Sequence, residues 1–338
     1  MARPRTKLAP VGRPGAGTFR VLAMAATPQL RRGADPPLEP SLPLPQMLRL
    51  GAHGIVRDFR QRRREPALRR RPSARALDPR LHRPIFIIGA PRSGTTFLGS
   101  CIGRMPEVSY HLEPMLTKAA VGCVYARSWT EDRSAAIFRS SYAALLLAAF
   151  HGGRRFADKT PENGFIVPFL GRTFATAQFV HIIRDGRDAA VSHAKQPWLT
   201  TAALSSGRQG SARAGWGPYP RWWVEPDRRE EFSAVPDIVR TAWCWRRFTE
   251  AALEGLAGLP GGRVLRVRYE SVVSDPLTAA EAMADFLDAS AAGREALREG
   301  LVMARTESVG RWRNVLSESD ITDVEREIGP LLAQLGYV

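Results

Sequence analysis

The amino-acid sequence predicts an α/β fold of three layers, in which a central parallel β-sheet lies between two layers of helices. Short apolar runs alternate with segments of helical period over residues 84–338, and this pattern is typical of parallel strands joined by helices. The first apolar run, Ile85 to Ile88, contains no polar residue and stops at Gly89. Strands that are buried on both faces of a sheet have this continuous apolar character.

The remaining elements follow from the same patterns. Three further strands are expected, at 154–158, 178–183 and 263–268. Helices are expected at 96–105, 237–257 and about 276–288, and after Ser317, which is suited to cap the last one.

The positive charge of the chain is concentrated at its N-terminus. The 338 residues include 49 Lys and Arg against 33 Asp and Glu, a formal net charge of +16. Residues 1–83 hold 19 of the basic and 5 of the acidic residues, which leaves 30 and 28 for the other 255. The arginines of this segment lack the interleaved aromatic residues and base-reading motifs of nucleic-acid-binding proteins. No nucleic-acid partner is therefore expected.

Residues 1–83 are interpreted as a basic, Arg/Pro-rich extension that is largely disordered. Within it, residues 47–64 have the pattern of a basic amphipathic helix, with Leu48, Ile55, Val56 and Phe59 as the apolar positions. Such a helix could make a weak peripheral membrane contact, but a packing arm or solvated extension is the favoured interpretation.

The remaining composition indicates a cytoplasmic protein. No window of about 18 uninterrupted apolar residues predicts a transmembrane helix, and the N-terminus lacks the apolar core of a secretory signal. The three cysteines, Cys101, Cys123 and Cys244, show neither CxxC nor paired spacing. Neither a zinc site nor a disulfide framework is expected, in agreement with a reducing compartment.

A glycine-rich loop separates the first predicted strand from the first predicted helix. Residues 89–96 read G-x-x-x-x-G-T-T, and in this context backbone N–H groups and a helix N-terminus cradle a phosphate. Thr95 stands where the loop of nucleoside triphosphatases carries the lysine that reaches the β- and γ-phosphates. The sequence therefore predicts a P-loop-type fold whose ligand has no γ-phosphate.

A second basic motif follows the strand at 178–183. Arg184 comes at the carboxyl end of this strand, at the sheet edge where ligands of α/β proteins bind. Ser192 lies eight residues further on, about two helical turns, and so on roughly the same face. The pair could hold a second phosphate, although for the motif taken alone a capped helix start with surface arginines is the better interpretation.

Taken together, PIFIIGAPRSGTTFL and FVHIIRDGRDAAVS resemble the sulfotransferase superfamily, which uses 3′-phosphoadenosine 5′-phosphosulfate (PAPS). Two more segments fit the resemblance, RYESVVSDP at 268–276 and SVGRWRN at 308–314. The four motifs occur in family order over residues 84–338. The sequence is most similar to bacterial members and to the tyrosylprotein branch, which share PRSGTT.

The resemblance implies a set of residues that bind the donor. It also implies that no metal is needed, since the donor offers no β,γ-phosphate pair for magnesium to bridge. The implied donor-binding residues are Arg92, Ser93, Gly94, Thr95, Thr96, Arg184, Ser192, Tyr269, Gly310, Arg311, Trp312 and Arg313.

The resemblance also implies catalytic residues. Arg92 would stabilise the sulfonate and its bridging oxygen, and Lys159 the leaving oxygen. Glu113 lies 21 residues after Arg92, at the offset of the catalytic glutamate in the tyrosylprotein branch, and would be the base for an acceptor hydroxyl. His111 is the alternative base, because other branches use histidine. From the residues alone, both remain compatible with ordinary loop positions, and Lys159 with a surface turn.

The acceptor is expected to contact a loop-rich insertion at about 196–236. This segment contains the aromatic residues Trp198, Trp216, Tyr219, Trp222 and Trp223 among Pro and Gly, and long loops of this kind often bind ligands. The aromatic side chains suit stacking on a sugar or flat acceptor, packing against the core, or a homodimer contact. The acceptor hydroxyl could belong to a carbohydrate, a glycolipid, a small molecule or a tyrosyl residue.

Two other functions remain open at this point. A P-loop kinase would require magnesium and a lysine after Gly94, a position that Thr95 occupies. A catalytically inactive relative would bind the nucleotide without turnover.

Overall fold

A computed structural model of the protein describes residues 40–62, 79, 81–202 and 222–338, all within the unit that spans Arg32–Val338. Its centre is a sheet of five strands in the order β2-β3-β1-β4-β5. In chain order the strands are β1 (Ile85–Ile88), β2 (Val108–Leu112), β3 (Arg155–Lys159), β4 (Gln178–Ile183) and β5 (Val264–Arg268). All neighbouring strands run parallel, which confirms the predicted central parallel sheet.

Helices cover both faces of this sheet. Those in the first half of the chain are α1 (Leu44–Arg62), α2 (Thr95–Ile102), α3 (Met115–Tyr125), α4 (Glu131–Ala148), α5 (Val167–Thr173) and α6 (Gly186–Ala194). The second half contains α7 (Arg229–Ala234), α8 (Asp237–Ala257), α9 (Tyr269–Ser274), α10 (Pro276–Leu287), α11 (Ala291–Leu301) and α12 (Glu318–Gln334). Within the described ranges, no helix combines the length and the apolar character needed to cross a membrane.

Alternate residues of β1 belong to two separate apolar cores. Phe86 and Ile88 pack into the core that includes side chains of α1, α3, α4, α5 and α8. Ile85 and Ile87 pack into the core formed with α2, α9, α10 and α11. Because successive side chains of a strand point to opposite faces, a continuous apolar run has the composition that a central strand needs. The three-layer α/β architecture is therefore confirmed.

The predicted elements are close to the observed ones. Strand 178–183 and helix 237–257 have the expected bounds. Strand Ile85–Ile88 also has the expected bounds, and the other predicted strands and helices differ by at most three residues at either end. Ser317 caps α12 as expected, since its Oγ accepts from the N–H of Asp320 at 3.1 Å.

Strand β2 was not among the predicted strands, and the ordinary loop position left open for His111 does not apply. Val108–Leu112 has the sequence VSYHL, in which polar and apolar residues mix. The strand lies at the edge of the sheet and pairs only with β3. An edge strand needs no continuous apolar run, so its sequence signal is weak. As a consequence, His111 lies within a strand and Glu113 follows directly after its end.

Helix α1 packs through a different face from the one expected. Leu48, Val56 and Phe59 are 66%, 45% and 37% exposed. The buried positions are instead Met47 and Leu50, with Gly54 lying against Met115 of α3. The inward face therefore combines few apolar side chains with glycine, a pattern that hydrophobic periodicity does not detect.

Candidate active site

The residues singled out in the sequence lie at one edge of the sheet. The glycine-rich loop follows β1, Glu113 follows β2, and Lys159 is the last residue of β3. Arg184 follows β4, and Tyr269 follows β5. Because all five strands are parallel, their carboxyl ends meet at the same edge, where α/β proteins bind their ligands.

The glycine-rich loop ends at Gly94, which begins α2 in a left-handed conformation with φ of 92°. A Cβ at this position would lie 2.6 Å from Cδ2 of Tyr269, so both the backbone angle and the space require glycine. The first N–H groups of α2 have no partner within the helix and point out of its start. Thr95 is buried here, and Thr96 is exposed.

The two motifs that are predicted to bind phosphate meet at Arg92. Its carbonyl oxygen accepts a hydrogen bond from Nη1 of Arg184 at 3.1 Å. Its own Nε donates to Oγ of Ser192 at 3.2 Å. The structure thus brings Arg92 together with Arg184 and Ser192, although Arg184 lies 92 residues after Arg92 in the chain.

Arg184 also connects this edge with the segment 308–314. Its guanidinium donates to the carbonyl oxygen of Ser308 and lies over the ring of Tyr269, 4.6 Å from its centroid. The hydroxyl of Tyr269 is bonded to Oγ of Ser308 at 2.7 Å. Arg184 is 6% exposed, so its guanidinium is held in position before a ligand binds.

The segment 308–314 is fixed to α6 by Asp188. The carboxylate accepts hydrogen bonds from the N–H groups of Gly310 and Trp312, at 2.7 Å and 3.0 Å. Gly310 has a left-handed φ of 70°. Arg311 and Arg313 are exposed, and the guanidinium of Arg313 lies over the ring of Trp312.

Three buried polar atoms at this edge have no hydrogen-bond partner in the part of the chain that the structure describes. They are Oγ of Ser93, Nε of Arg184 and Nε1 of Trp312. Buried polar groups in folded proteins are nearly always paired. The hydroxyl belongs to the loop suited to phosphate, and the two N–H donors belong to the segments beside it. These groups therefore fit a polar, anionic ligand such as a nucleotide that carries phosphates.

Glu113 lies between two lysine side chains. Its Oε1 accepts from Nζ of Lys159 at 2.7 Å, and its Oε2 accepts from Nζ of Lys118 at 2.6 Å. Nζ of Lys118 also lies 3.3 Å from Oε1 of Glu162. Sequence reasoning missed Lys118 and Glu162; the only signal was their closeness in sequence to Glu113 and Lys159.

The two ammonium groups set the protonation state of Glu113. Burial alone would raise the pKa of its carboxyl group, but the charges and hydrogen bonds of Lys118 and Lys159 outweigh burial and lower this pKa to about 2. Glu162 and Glu113 in turn raise the pKa of Lys118 above its usual value, against the effect of burial. Glu113 is therefore an ionised carboxylate at neutral pH.

His111 is enclosed on the face of the sheet that α1 covers. It is 1% exposed and stacks on Phe156 at a centroid distance of 4.4 Å. Nδ1 lies 3.0 Å from Oδ1 of Asp58 in α1, and Nε2 lies 2.9 Å from Oγ of Ser109. Both ring nitrogens thus have partners inside the protein, and the side chain is inaccessible to a large acceptor.

The insertion at 196–236 is described only at its two ends. Trp222 packs against Tyr125 and Phe165, at centroid distances of 5.2 Å and 5.0 Å. Trp223 is buried in the core, and Trp198 is 41% exposed beside His193. Trp216 and Tyr219 lie outside the described residues. Of the interpretations left open for this cluster, core packing applies to Trp222 and Trp223.

Comparison with known proteins agrees with this geometry. Residues 84–292 match the protein family described as the sulfotransferase family. A Caenorhabditis briggsae protein, described provisionally as a protein-tyrosine sulfotransferase, is 29% identical over 119 residues. That alignment covers 32% of this chain and 41% of the relative, so the chain spans about two fifths of the curated relative's length.

Several solved structures are similar to this chain. Sulfotransferase STF9 of Mycobacterium avium shares 14% identity at a TM-score of 0.46, covering 85% of this chain and 84% of that one. Mouse sulfotransferase SULT7A1, complexed with PAP, shares 13% identity at a TM-score of 0.41, covering 78% of this chain and 90% of that one.

Proposed function

The chain belongs to the sulfotransferase family, and we propose that it transfers a sulfuryl group from PAPS to an acceptor hydroxyl, with Glu113 as the general base. One observation carries this proposal. An ionised carboxylate held by Lys159 lies at the same sheet edge as a glycine-rich phosphate loop and two arginines. A base, cations and an anion-binding loop are the groups that sulfuryl transfer requires.

The residues assigned to the donor include one group for each of the two phosphates of PAPS. Gly94, Thr95 and Thr96 at the start of α2, together with Ser93, hold the 5′-phosphosulfate. Arg184 and Ser192 hold the 3′-phosphate. The remaining donor contacts are assigned to Tyr269, Gly310, Arg311, Trp312 and Arg313. The buried, unpartnered Nε of Arg184 and Nε1 of Trp312 support these assignments.

PAPS supplies the sulfuryl group and a stable leaving group. In the transfer, a bond forms between the acceptor oxygen and sulfur, while the bond between sulfur and the 5′-phosphate oxygen breaks. Glu113 accepts the proton of the acceptor hydroxyl. Arg92 and Lys159 stabilise the negative charge that develops on the sulfonate and leaving oxygens.

The low pKa of Glu113 has a consequence for this step. A carboxylate with a pKa of about 2 is ionised at neutral pH and can accept a proton, but it is a weak base. Proton transfer should therefore come late, when bonding to sulfur has already made the acceptor hydroxyl acidic. Lys118 and Lys159 act as the groups that orient the carboxylate and set its basicity.

Replacing Lys118 by methionine should change the pH dependence of kcat/KM. The ammonium group of Lys118 lowers the pKa of Glu113, so its loss should raise this pKa by about 1 unit. A base is inactive when protonated, so the acid limb, which lies below about pH 3 in the wild type, should move up into the measured range of about pH 3 to pH 8. At the acid end of this range, kcat/KM of Lys118→Met should therefore fall below its plateau while the wild type stays near its own, with circular dichroism confirming folded protein. Lys195→Met, at an exposed lysine, is the control. An acid limb of the pH profile that stays unchanged in Lys118→Met would contradict the assigned role of Lys118.

Calorimetry with adenosine 3′,5′-bisphosphate tests the donor assignment. We expect this nucleotide to bind equally well in EDTA and in magnesium, because phosphate loops without the lysine need no β,γ-bridging cation. No binding would contradict the proposed donor, and magnesium-dependent binding of ATP would indicate a kinase instead.

Transfer from ³⁵S-labelled PAPS to extract components then identifies the acceptor class. Carbohydrate, glycolipid, small-molecule and tyrosyl products separate by their chromatographic behaviour. Nucleotide binding without labelled product from any extract would favour a catalytically inactive relative.

A further inference from the structure

Helix α1 reaches the candidate base through Arg57. This helix lies outside residues 84–292, which match the family. Nη2 of Arg57 donates to the carbonyl oxygens of Leu112 and Glu113, at 2.7 Å and 2.6 Å. These are short, charge-assisted hydrogen bonds, roughly twice as strong as neutral ones.

The backbone at Glu113 needs such support. Its φ is 50°, in the left-handed region that is unfavourable for a residue with a side chain. The following residue, Pro114, further restricts the backbone of Glu113. The N–H of Glu113 donates to the carbonyl oxygen of Lys159 at 3.0 Å. This bond and the two from Arg57 together fix the peptide groups on both sides of the Glu113 Cα atom.

The neighbouring residue anchors α1 at the same place. Asp58 lies 3.0 Å from Nδ1 of the buried His111 in β2. Burial lowers the pKa of Arg57, while the charges of Glu113 and Asp58 act in the opposite direction. Exposed arginines gain little from such contacts. The guanidinium of Arg57 is instead partly buried beside two carboxylates and two carbonyl oxygens, so its contacts stabilise this strand end.

We propose that Arg57 is a positioning residue for the transfer reaction, a role that rests on the proposed function of Glu113. Arg57 holds the carbonyl groups of Leu112 and Glu113 and so keeps the left-handed backbone that places the carboxylate between Lys118 and Lys159. Part of the segment that precedes the family-matched residues thereby belongs to the catalytic unit.

The full-length Arg57→Ala variant tests this role. With ³⁵S-labelled PAPS and the identified acceptor, kcat should fall between about 10-fold and 100-fold. The KM for PAPS should stay within about twofold, because α1 packs against α3, α4 and the end of β2, which carry none of the residues assigned to the donor. Arg57→Lys, which retains a donor at this position, should recover most of kcat. Hydrogen exchange followed by mass spectrometry needs no acceptor, and it should show faster exchange in peptides that cover 108–118, with unchanged exchange in those that cover 184–194.

Arg60→Ala, at an exposed arginine of the same helix, should match the wild type in every measurement. The proposal is overturned if Arg57→Ala keeps wild-type kcat and exchange, or if it loses nucleotide binding and protection throughout the chain, which would indicate general destabilisation. If Glu113→Gln lowers turnover as expected and Arg57→Ala leaves it at the wild-type level, only the role of Arg57 fails. If Glu113→Gln retains turnover, the proposed base itself fails.

Discussion

Replacing Glu113 by glutamine should reduce kcat for sulfuryl transfer by about 10³-fold and leave the affinity for adenosine 3′,5′-bisphosphate within about twofold. Glutamine keeps the size of the side chain but cannot accept the acceptor proton. It also removes the negative charge that Lys118 and Lys159 contact at 2.6 Å and 2.7 Å. The residues assigned to the donor lie in other segments of the chain, so binding of the nucleotide should be spared. Turnover and calorimetry on the same preparation measure both effects.

Two further variants separate this effect from damage to β2. Glu107 precedes β2, at the amino ends of the strands, and its carboxylate accepts a hydrogen bond from the N–H of Ser290. Glu107→Gln should therefore retain kcat. His111→Asn should lower the melting temperature, since the imidazole is buried between Asp58 and Ser109, but retain kcat within about tenfold. Near-normal turnover in Glu113→Gln, or loss of turnover only in His111→Asn, would show that Glu113 is not the base.

The sequence predicted most of the sheet because its central strands have an unambiguous pattern. Strands β1 and β4 are covered on both faces, and every residue of each is buried. Their apolar runs and the motifs that follow them were therefore recognisable together. Strand β2, at the edge, mixes polar and apolar residues, so the position of Glu113 at a strand end could be found only in the structure.

The environment of Glu113 could not be predicted because it is made by tertiary contacts. Lys118 faces Glu113 from the first turn of α3, and Arg57 approaches from a helix more than 50 residues earlier in the chain. No periodicity or motif connects Glu113 with a residue as distant in the chain as Arg57, and the closeness of Lys118 in sequence does not by itself predict a contact. Charge counting separated the basic segment 1–83 from the near-neutral remainder, and that division gave no indication that a basic residue of this segment contacts the strand end.

Replacing Arg184 by alanine should weaken the binding of adenosine 3′,5′-bisphosphate by about 100-fold, or about 2.7 kcal/mol. Buried charge-assisted contacts of this kind typically contribute about 2–5 kcal/mol when one partner is removed. The residue has a second role, because its guanidinium also holds the carbonyl oxygens of Arg92 and Ser308. Loss of affinity alone would therefore not distinguish direct phosphate contact from a disordered loop.

Comparison of two nucleotides separates these roles. Adenosine 5′-monophosphate lacks the 3′-phosphate, so Arg184→Ala should weaken its binding by less than about threefold if Arg184 contacts that phosphate directly. Arg263→Ala is a matched control, because Arg263 also donates to backbone carbonyl oxygens, those of Ala177 and Phe174, but at the amino ends of the strands. It should lower the melting temperature and leave both affinities unchanged. An equal loss for both nucleotides in Arg184→Ala would mean that Arg184 organises the loops around the donor without binding its 3′-phosphate.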